Sequence, residues 1–127
     1  MPLWTTYLSF WSRNLSEIMA KLKGSAMPMY VMRNRGNNEV APSKVLLLEA
    51  KSKQIDWAEY EKRYLAEIIE DDAEVWMMNA VDEMKSGMHV VLICFEKDVA
   101  HCHRRLLAEE IKRRWPKVDY RGELRLP

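Results

Sequence analysis

The chain has 127 residues, 48% of them apolar, which is enough for the core of one domain and argues against global disorder. Its formal net charge of +1 hides an uneven layout: Lys and Arg outnumber Asp and Glu eight to three in residues 1–53 and nine to five in residues 97–127, while acids prevail ten to three in residues 54–86. No apolar run approaches the ~20 residues of a membrane span, and the first residues lack a signal-peptide pattern, so we expect a cytoplasmic protein with reduced cysteines and no membrane partner.

The N-terminal half alternates strand and helix patterns. Residues 3–8 are rich in β-branched and aromatic side chains and predict a first strand, and residues 14–24 show one apolar face and end at a glycine, which predicts a short helix. Residues 27–32 predict a second strand, and residues 33–43 contain Gly, Asn and Pro and predict an irregular loop. Residues 44–51 fit either a strand or a short helix, because periodicity does not separate the two.

The C-terminal half gives the clearest elements. Amphipathic spacing predicts helices over residues 57–72 and 73–87, and the nearly unbroken apolar run 89–95 predicts a central strand covered on both sides. Residues 104–115 predict a helix that Pro116 closes, and residues 120–126 alternate and predict a weaker last strand. Strands that alternate with helices indicate one three-layer α/β domain over residues 1–127, with a small, mostly parallel sheet flanked by helices.

The stretch "CFEKDVAHCHRR", residues 94–105, joins the central strand to the last long helix, at the sheet edge where open α/β folds bind ligands. Cys102 and His103 fall at the helix start, where free backbone N–H groups favour an anion or a thiolate. Arg104 could grip a phosphate or carboxylate with two parallel hydrogen bonds. Glu96 and the thiols of Cys94 and Cys102 are candidates for base or nucleophile, Glu96 on condition that burial raises its pKa.

Each of these residues also has a purely structural interpretation. Cys94 ends an apolar run and could be a small buried hydrophobe, and Arg104 could pair with an acidic neighbour. Tyr60 and Tyr64 share the apolar stripe of a predicted helix, so we expect them in the core. The joint occurrence of several reactive side chains at one strand end is what favours a functional site.

A metal site is the weaker interpretation of the same stretch. Cys94, His101, Cys102 and His103 are all zinc-ligand types, but the usual CxxC and HxxxH spacings are absent. Three adjacent residues do not easily converge on one tetrahedral ion, so we expect no metal. The stretch also has no glycine for a phosphatase-type loop, and the chain has no GxGxxG or GxxxxGK[ST], so no cofactor is predicted.

The segment "LICFEKDVAHCHRRLLAEEI" resembles the signature of domain-of-unknown-function family 488, in which a strand ends in Cys-x-Glu and a Cys-His-Arg opens the next helix. Further matches make the chain similar to the short phage and archaeal branch of that family over about residues 5–115. These matches are "TTYLSF", Arg33, the Ala-Pro-Ser of residues 41–43, and the tyrosine pair of residues 60 and 64. The resemblance implies a Rossmann-like domain with its site at the Cys-His-Arg turn, and implies no particular reaction.

The resemblance also adds ligand-binding candidates from the first two strands. The branch has a small polar residue where this chain has Met32, so Ser9 or Thr6 is expected to supply the missing hydroxyl, with Tyr7 beside them on the first strand. Arg33 ends the second strand, and if that strand neighbours the central one, Arg33 and Arg104 would approach each other and hold an anion. Tyr7, Ser9, Arg33 and Arg104 are therefore the predicted ligand-binding residues.

These observations predict a protein that binds a phosphate-bearing ligand, which would be a nucleotide, a nucleoside derivative or a nucleic-acid end. The catalytic candidates are Cys94, Glu96, Cys102 and His103, and hydrolysis or group transfer is favoured over redox chemistry. Two alternatives stay open: a non-catalytic protein that sequesters a nucleotide or grips nucleic acid, and a metal-stabilised interaction domain. The tryptophans near the N-terminus leave room for a homodimer, although burial in the core is their commoner fate.

Overall fold

The computed structural model covers all 127 residues, and the chain forms four strands and six α-helices joined by turns and loops. In chain order the elements are β1 (Pro2–Tyr7), α1 (Leu8–Arg13), α2 (Leu15–Lys21), β2 (Ala26–Tyr30), α3 (Lys44–Lys51), α4 (Trp57–Glu67), α5 (Asp71–Lys85), β3 (His89–Cys94), α6 (His103–Arg114) and β4 (Asp119–Glu123). A single 3₁₀ turn over Val99–His101 precedes α6. No helix is both long enough and apolar enough to cross a membrane.

The four strands form one sheet in the order β2-β3-β1-β4, and every neighbouring pair is parallel. The register sets Tyr7 of β1 opposite Cys94 of β3, and Tyr30 of β2 opposite Ile93. The pairing runs one residue past β2, since the N–H of Val31 donates to the carbonyl of Ile93 at 2.9 Å. The carboxyl ends of β1, β2 and β3 therefore meet at one edge, and the loops that leave them lie side by side.

The core lies around β3. Val90, Val91, Leu92 and Ile93 have no exposed surface, and successive residues of a strand point to opposite faces. Helices must therefore cover both faces of the sheet, which confirms the predicted Rossmann-like α/β domain with its small parallel sheet. The apolar stripe of α6 joins this core through Leu107, Ala108 and Ile111.

The structure resolves the ambiguous segment 44–51 as helix α3. Its N-cap is Ser43, whose hydroxyl oxygen accepts the N–H of Leu46 at 3.1 Å. The Ser43 hydroxyl and backbone N–H also donate to the carboxylate of Glu67 on α4, at 2.5 and 2.8 Å. These bonds satisfy donors at the helix start and attach α3 to α4, so tertiary contacts decide what periodicity left open.

Three predicted boundaries shift. The first strand ends at Tyr7, because α1 begins at Leu8, so Ser9 lies on an exposed helix and not on a strand. The predicted helix 57–72 ends at Glu67, and α5 begins at Asp71. The last strand is β4, whose register slips between its two ends near Gly122, a residue with φ of 81°.

Trp4 and Trp11, which were considered for an apolar dimer patch, are 8% and 6% exposed and belong to the core. Trp4 is further fixed by its indole N–H, which donates to Nδ1 of His89 at 3.0 Å. The homodimer stays a prediction, and these two tryptophans do not support it because they are buried within one chain.

Candidate active site

A pocket of about 720 Å³ opens at the carboxyl edge of the sheet. Its walls come from the loop after β2, from α3 and the start of α4, and from the segment between β3 and α6. The pocket therefore lies where the fold class places ligands, and its volume is that of a site for a small molecule.

Cys94, Cys102 and His103 form the floor of this pocket. All three are buried, and their sulfur and ring-nitrogen atoms lie within 4.8 Å of one another. The Cys94 Sγ lies 3.7 Å from Nδ1 of His103, and the Cys102 Sγ lies 4.0 Å from the same nitrogen. The structure thus brings together three of the four predicted catalytic residues, although two of them are adjacent in sequence.

The His103 ring is held by its far nitrogen. Nε2 lies 2.7 Å from the carbonyl oxygen of Val31, which only accepts, so Nε2 carries the proton and donates it. In the neutral ring Nδ1 is then a free acceptor on the side of the two sulfurs, although the Cys94 Sγ is nearly as close to Nε2, at 3.8 Å. The Tyr64 ring packs against the imidazole at 5.5 Å between centroids, and the Tyr64 hydroxyl donates to Val40 at 2.6 Å. The expectation that Tyr64 lies in the core is confirmed.

The two thiols differ in acidity because each feels the other. The pKa of Cys102 is lowered by its interaction with the Cys94 thiol, and further by His103 and Arg104, against the opposing effect of burial. The pKa of Cys94 is raised by the same interaction and by burial, although the backbone N–H groups of Glu96 and Phe95 oppose the rise. Cys102, which is also the N-cap residue of α6, is therefore the more acidic thiol of the pair.

Arg104 does not line the pocket. Its side chain is fully buried and pairs with the Glu123 carboxylate through two bonds, Nε to Oε2 at 3.1 Å and Nη2 to Oε1 at 2.9 Å. It also donates to the carbonyl oxygens of Glu96 and of Lys97, the latter at 3.2 Å. Because these donors are engaged within the protein, Arg104 stabilises the segment between β3 and α6. This arrangement does not support the prediction that Arg104 binds the anion of the ligand.

Arg33 does line the pocket, and the nearest hydrogen-bond partner of its guanidinium is the carbonyl of Pro42 at 3.5 Å. Arg33 and Arg104 do not form the predicted pair around one anion, since only Arg33 reaches the pocket. Glu96 lies at the rim of the pocket with an exposed side chain. Its predicted role as acid or base depended on burial of the carboxyl group, and the structure does not show that burial.

Tyr7 and Ser9 are not among the residues that line the pocket. Tyr7 is half-buried and packs against Phe10 with ring centroids 5.8 Å apart. Ser9 is exposed on α1, because the chain turns into a helix one residue before it. The hydroxyl that the resemblance placed on the first strand is therefore missing from the pocket.

Aromatic side chains from α4 form one wall of the pocket. Trp57 stacks on Tyr60 with centroids 4.9 Å apart and planes 18° apart, and its edge meets His101 at 5.2 Å. Tyr60 is buried, as the sequence predicted, yet its hydroxyl makes no hydrogen bond within the protein. Burial, followed by the nearby Cys102 and Cys94, raises the pKa of Tyr60, so its hydroxyl is a proton donor at neutral pH.

Two lysines of the pocket were missed from the sequence. Lys44 and Lys51 lie on α3 and line the same pocket as the Cys-His cluster. Their spacing of seven residues places them on one face of a helix, but this signal appears only once residues 44–51 are known to be helical.

The fold and the site together describe a parallel α/β domain with a Cys-Cys-His cluster under a pocket at the carboxyl edge of its sheet. Comparison with known families identifies the family: a family model described as "Active DUF488-N3 subclade" matches residues 13–115. The chain belongs to the DUF488 family. No curated protein and no solved structure matches it.

Proposed function

We propose that the protein binds a phosphate-bearing ligand in this pocket and catalyses hydrolysis or group transfer on it. The ligand class is a nucleotide, a nucleoside derivative or a nucleic-acid end. The observation that carries the proposal is the composition of one pocket, which Arg33, Lys44 and Lys51 line together with a buried cluster of two thiols and an imidazole. Cations fix an anion, and the cluster supplies groups that react with it.

The charge balance of the pocket favours an anion. Arg33, Lys44 and Lys51 are opposed by two carboxylates, Asp56 and Glu96. The Asp56 side chain is already engaged as N-cap of α4, where it accepts the N–H of Glu59 at 2.8 Å. Three cationic side chains around a concave, partly apolar surface are an arrangement that attracts and orients a phosphate group.

The aromatic wall favours a planar ring on the same ligand. Trp57 is half-buried, lines the pocket and is already stacked on Tyr60 on one side. A nucleobase could extend this stack, and stacking on an aromatic side chain contributes about 1–3 kcal/mol per base. A phosphate on the cations with a base on Trp57 fits a nucleotide better than inorganic phosphate.

The floor cluster is the source of reactivity in this proposal. Cys94, Cys102 and His103 lie at the end of the pocket, and the unpaired Tyr60 hydroxyl is available to donate to an oxygen of the ligand. The description of the matching family model as an active subclade agrees with catalysis. A protein that only sequesters a nucleotide would not need buried thiols at its site.

Binding is tested by isothermal titration with a panel of nucleoside mono- and triphosphates, inorganic phosphate and a 5′-phosphorylated oligonucleotide. We expect Arg33→Gln to weaken the best ligand about tenfold, the loss of roughly 1.4 kcal/mol of charge-assisted hydrogen bonding. The matched control is Lys85→Gln, which removes an exposed cation outside the pocket and should leave affinity unchanged. Equal effects of the two variants would contradict a localised anion site.

The ligand that this panel identifies is then used to distinguish an enzyme from a protein that only binds. Cys102→Ser should abolish turnover and retain measurable ligand binding, because Arg33, Lys44, Lys51 and Trp57 are untouched. Ligand that is recovered unchanged from long incubation with the wild type would support the sequestering alternative.

A further inference from the structure

We propose that Cys94, Cys102 and His103 bind a zinc ion at the floor of the pocket. The inference goes beyond the proposed function, since it concerns a resident cation and holds whichever anion the pocket receives. It also reverses the expectation drawn from the spacing of these residues, because the strand-turn-helix geometry lets two adjacent residues converge with a third from β3.

The distances fit a tetrahedral ion. With zinc–sulfur bonds of about 2.3 Å and zinc–nitrogen bonds of about 2.0–2.1 Å, tetrahedral angles separate sulfur from nitrogen by about 3.6 Å. Nδ1 of His103 lies 3.7 Å from the Cys94 Sγ and 4.0 Å from the Cys102 Sγ, and all three atoms lie within 4.8 Å of one another. Binding would need shifts of about an ångström in side chains that the fold already holds close together.

One nitrogen of the imidazole is free to bind a metal. Nε2 of His103 donates to the carbonyl oxygen of Val31 at 2.7 Å, which leaves Nδ1 unprotonated in the neutral ring, 3.7 Å from the Cys94 Sγ and 4.0 Å from the Cys102 Sγ. The Cys94 Sγ is nearly as close to Nε2, at 3.8 Å, so a zinc ion in line with Nδ1 would also need Cys94 or the ring to move. A hydrogen bond from the second ring nitrogen to a backbone carbonyl is the usual support of a metal-bound histidine. The packing of Tyr64 on the ring removes rotational freedom as well.

The donor set selects the kind of ion and the kind of site. Two sulfurs and one imidazole nitrogen suit zinc and do not suit magnesium or calcium, which take oxygen ligands. His101 is not in the set, because its side chain is 62% exposed and its ring nitrogens do not converge with the other three ligand atoms. All three ligands line the pocket, so the fourth tetrahedral position would face the bound anion, which is the arrangement of catalytic zinc.

The test uses the full chain, stripped by a chelator, equilibrated with a slight excess of Zn²⁺ and dialysed against metal-free buffer. Bound zinc is measured by inductively coupled plasma mass spectrometry in the wild type and in Cys94→Ser, Cys102→Ser and His103→Gln. The matched control is His101→Gln, which changes the other histidine of the same pocket. Circular dichroism establishes that each variant is folded, and Cys94→Ser carries the comparison if His103→Gln does not fold.

We expect one zinc per wild-type chain and per His101→Gln chain, and a loss of affinity of at least about 100-fold in each ligand variant. Replacement by Co²⁺ should give thiolate-to-cobalt charge-transfer absorption that is lost with either cysteine. Less than a tenth of an equivalent of zinc on folded wild-type protein would overturn the proposal, as would equal zinc loss in His101→Gln and His103→Gln. No nucleotide is present, so failure here leaves the anion-binding test intact.

Discussion

Arg104 holds three parts of the site in place without reaching the pocket. Its guanidinium joins the Glu123 carboxylate on β4 to the carbonyls of Glu96 and Lys97, which belong to the segment after β3. Burial lowers the pKa of Arg104, but the hydrogen bond with Glu123 and the electrostatic interaction with Cys102 raise this pKa by more, so the net shift is upward. A buried charge of this kind is tolerated only while its partners remain.

Removing this guanidinium should therefore be costly. We expect Arg104→Met to lower the free energy of unfolding by about 3 kcal/mol, because it leaves a largely buried carboxylate and two carbonyls without their donor. Arg113→Met is the control: it breaks an exposed ion pair with Glu110, and it should cost less than about 1 kcal/mol. Urea unfolding monitored by tryptophan fluorescence measures both, and equal costs would show that Arg104 is not a structural centre.

The same residue shows why side-chain roles were harder to predict than positions. The sequence indicated that Arg104 opens a helix beside the site, and the structure agrees. Its partner Glu123 lies nineteen residues later, on a strand that Gly122 makes weak in sequence, so nothing local pointed to the pair. For Cys102 and His103 the sequence was misleading in another way. Their adjacency argued against both side chains meeting Cys94 at one point, but the bend from the 3₁₀ turn into α6 brings them together there.

At the scale of elements, α3 connects the stability of the fold to the chemistry of the pocket. It carries Lys44 and Lys51 to the site, and it is attached to α4 through Ser43 and Glu67. The Ala-Pro-Ser of residues 41–43, noted from the sequence only as a resemblance, is thus the start of this wall. Its serine acts as a helix cap, and no contact with a ligand is needed to explain it.

Loss of this cap should affect both stability and binding. We expect Ser43→Ala to lower the free energy of unfolding by about 1–2 kcal/mol, since it removes the cap and one of the two bonds to Glu67. Ligand affinity should fall as well, because the lysines of α3 become less well positioned. Ser52→Ala is the control, as it removes an exposed hydroxyl at the other end of α3. Urea unfolding and titration with the best nucleotide measure the two effects, and a variant indistinguishable from this control would contradict the account.

At the scale of the whole molecule, the sequence predicted what depends on local pattern. The apolar run of β3, the alternation of strands and helices and the turn into α6 were sufficient to predict a parallel sheet and to place Cys94, Cys102 and His103 at its carboxyl edge. These features follow from burial and strand direction, which sequence patterns report well.

The remainder of the pocket depends on tertiary contacts. The walls come from α3 and α4, which end about forty and about twenty residues before β3 begins, and α3 had no decisive periodicity of its own. Ser9 is absent from the pocket because β1 ends at Tyr7 and α1 begins at Leu8, where the sequence still predicted strand. Glu96 is exposed because Arg104 binds its backbone carbonyl and not its carboxylate. Packing between distant segments decided each of these positions.

The central claim is that this pocket recognises a phosphate group through its cations. The most direct measurement is isothermal titration of the wild type with one nucleoside and with its own 5′-monophosphate, repeated in the double variant Arg33→Gln/Lys51→Gln. We expect the monophosphate to bind at least about tenfold more tightly than the nucleoside, and the difference to disappear in the variant. A nucleoside that binds the wild type as tightly as its monophosphate would contradict the account.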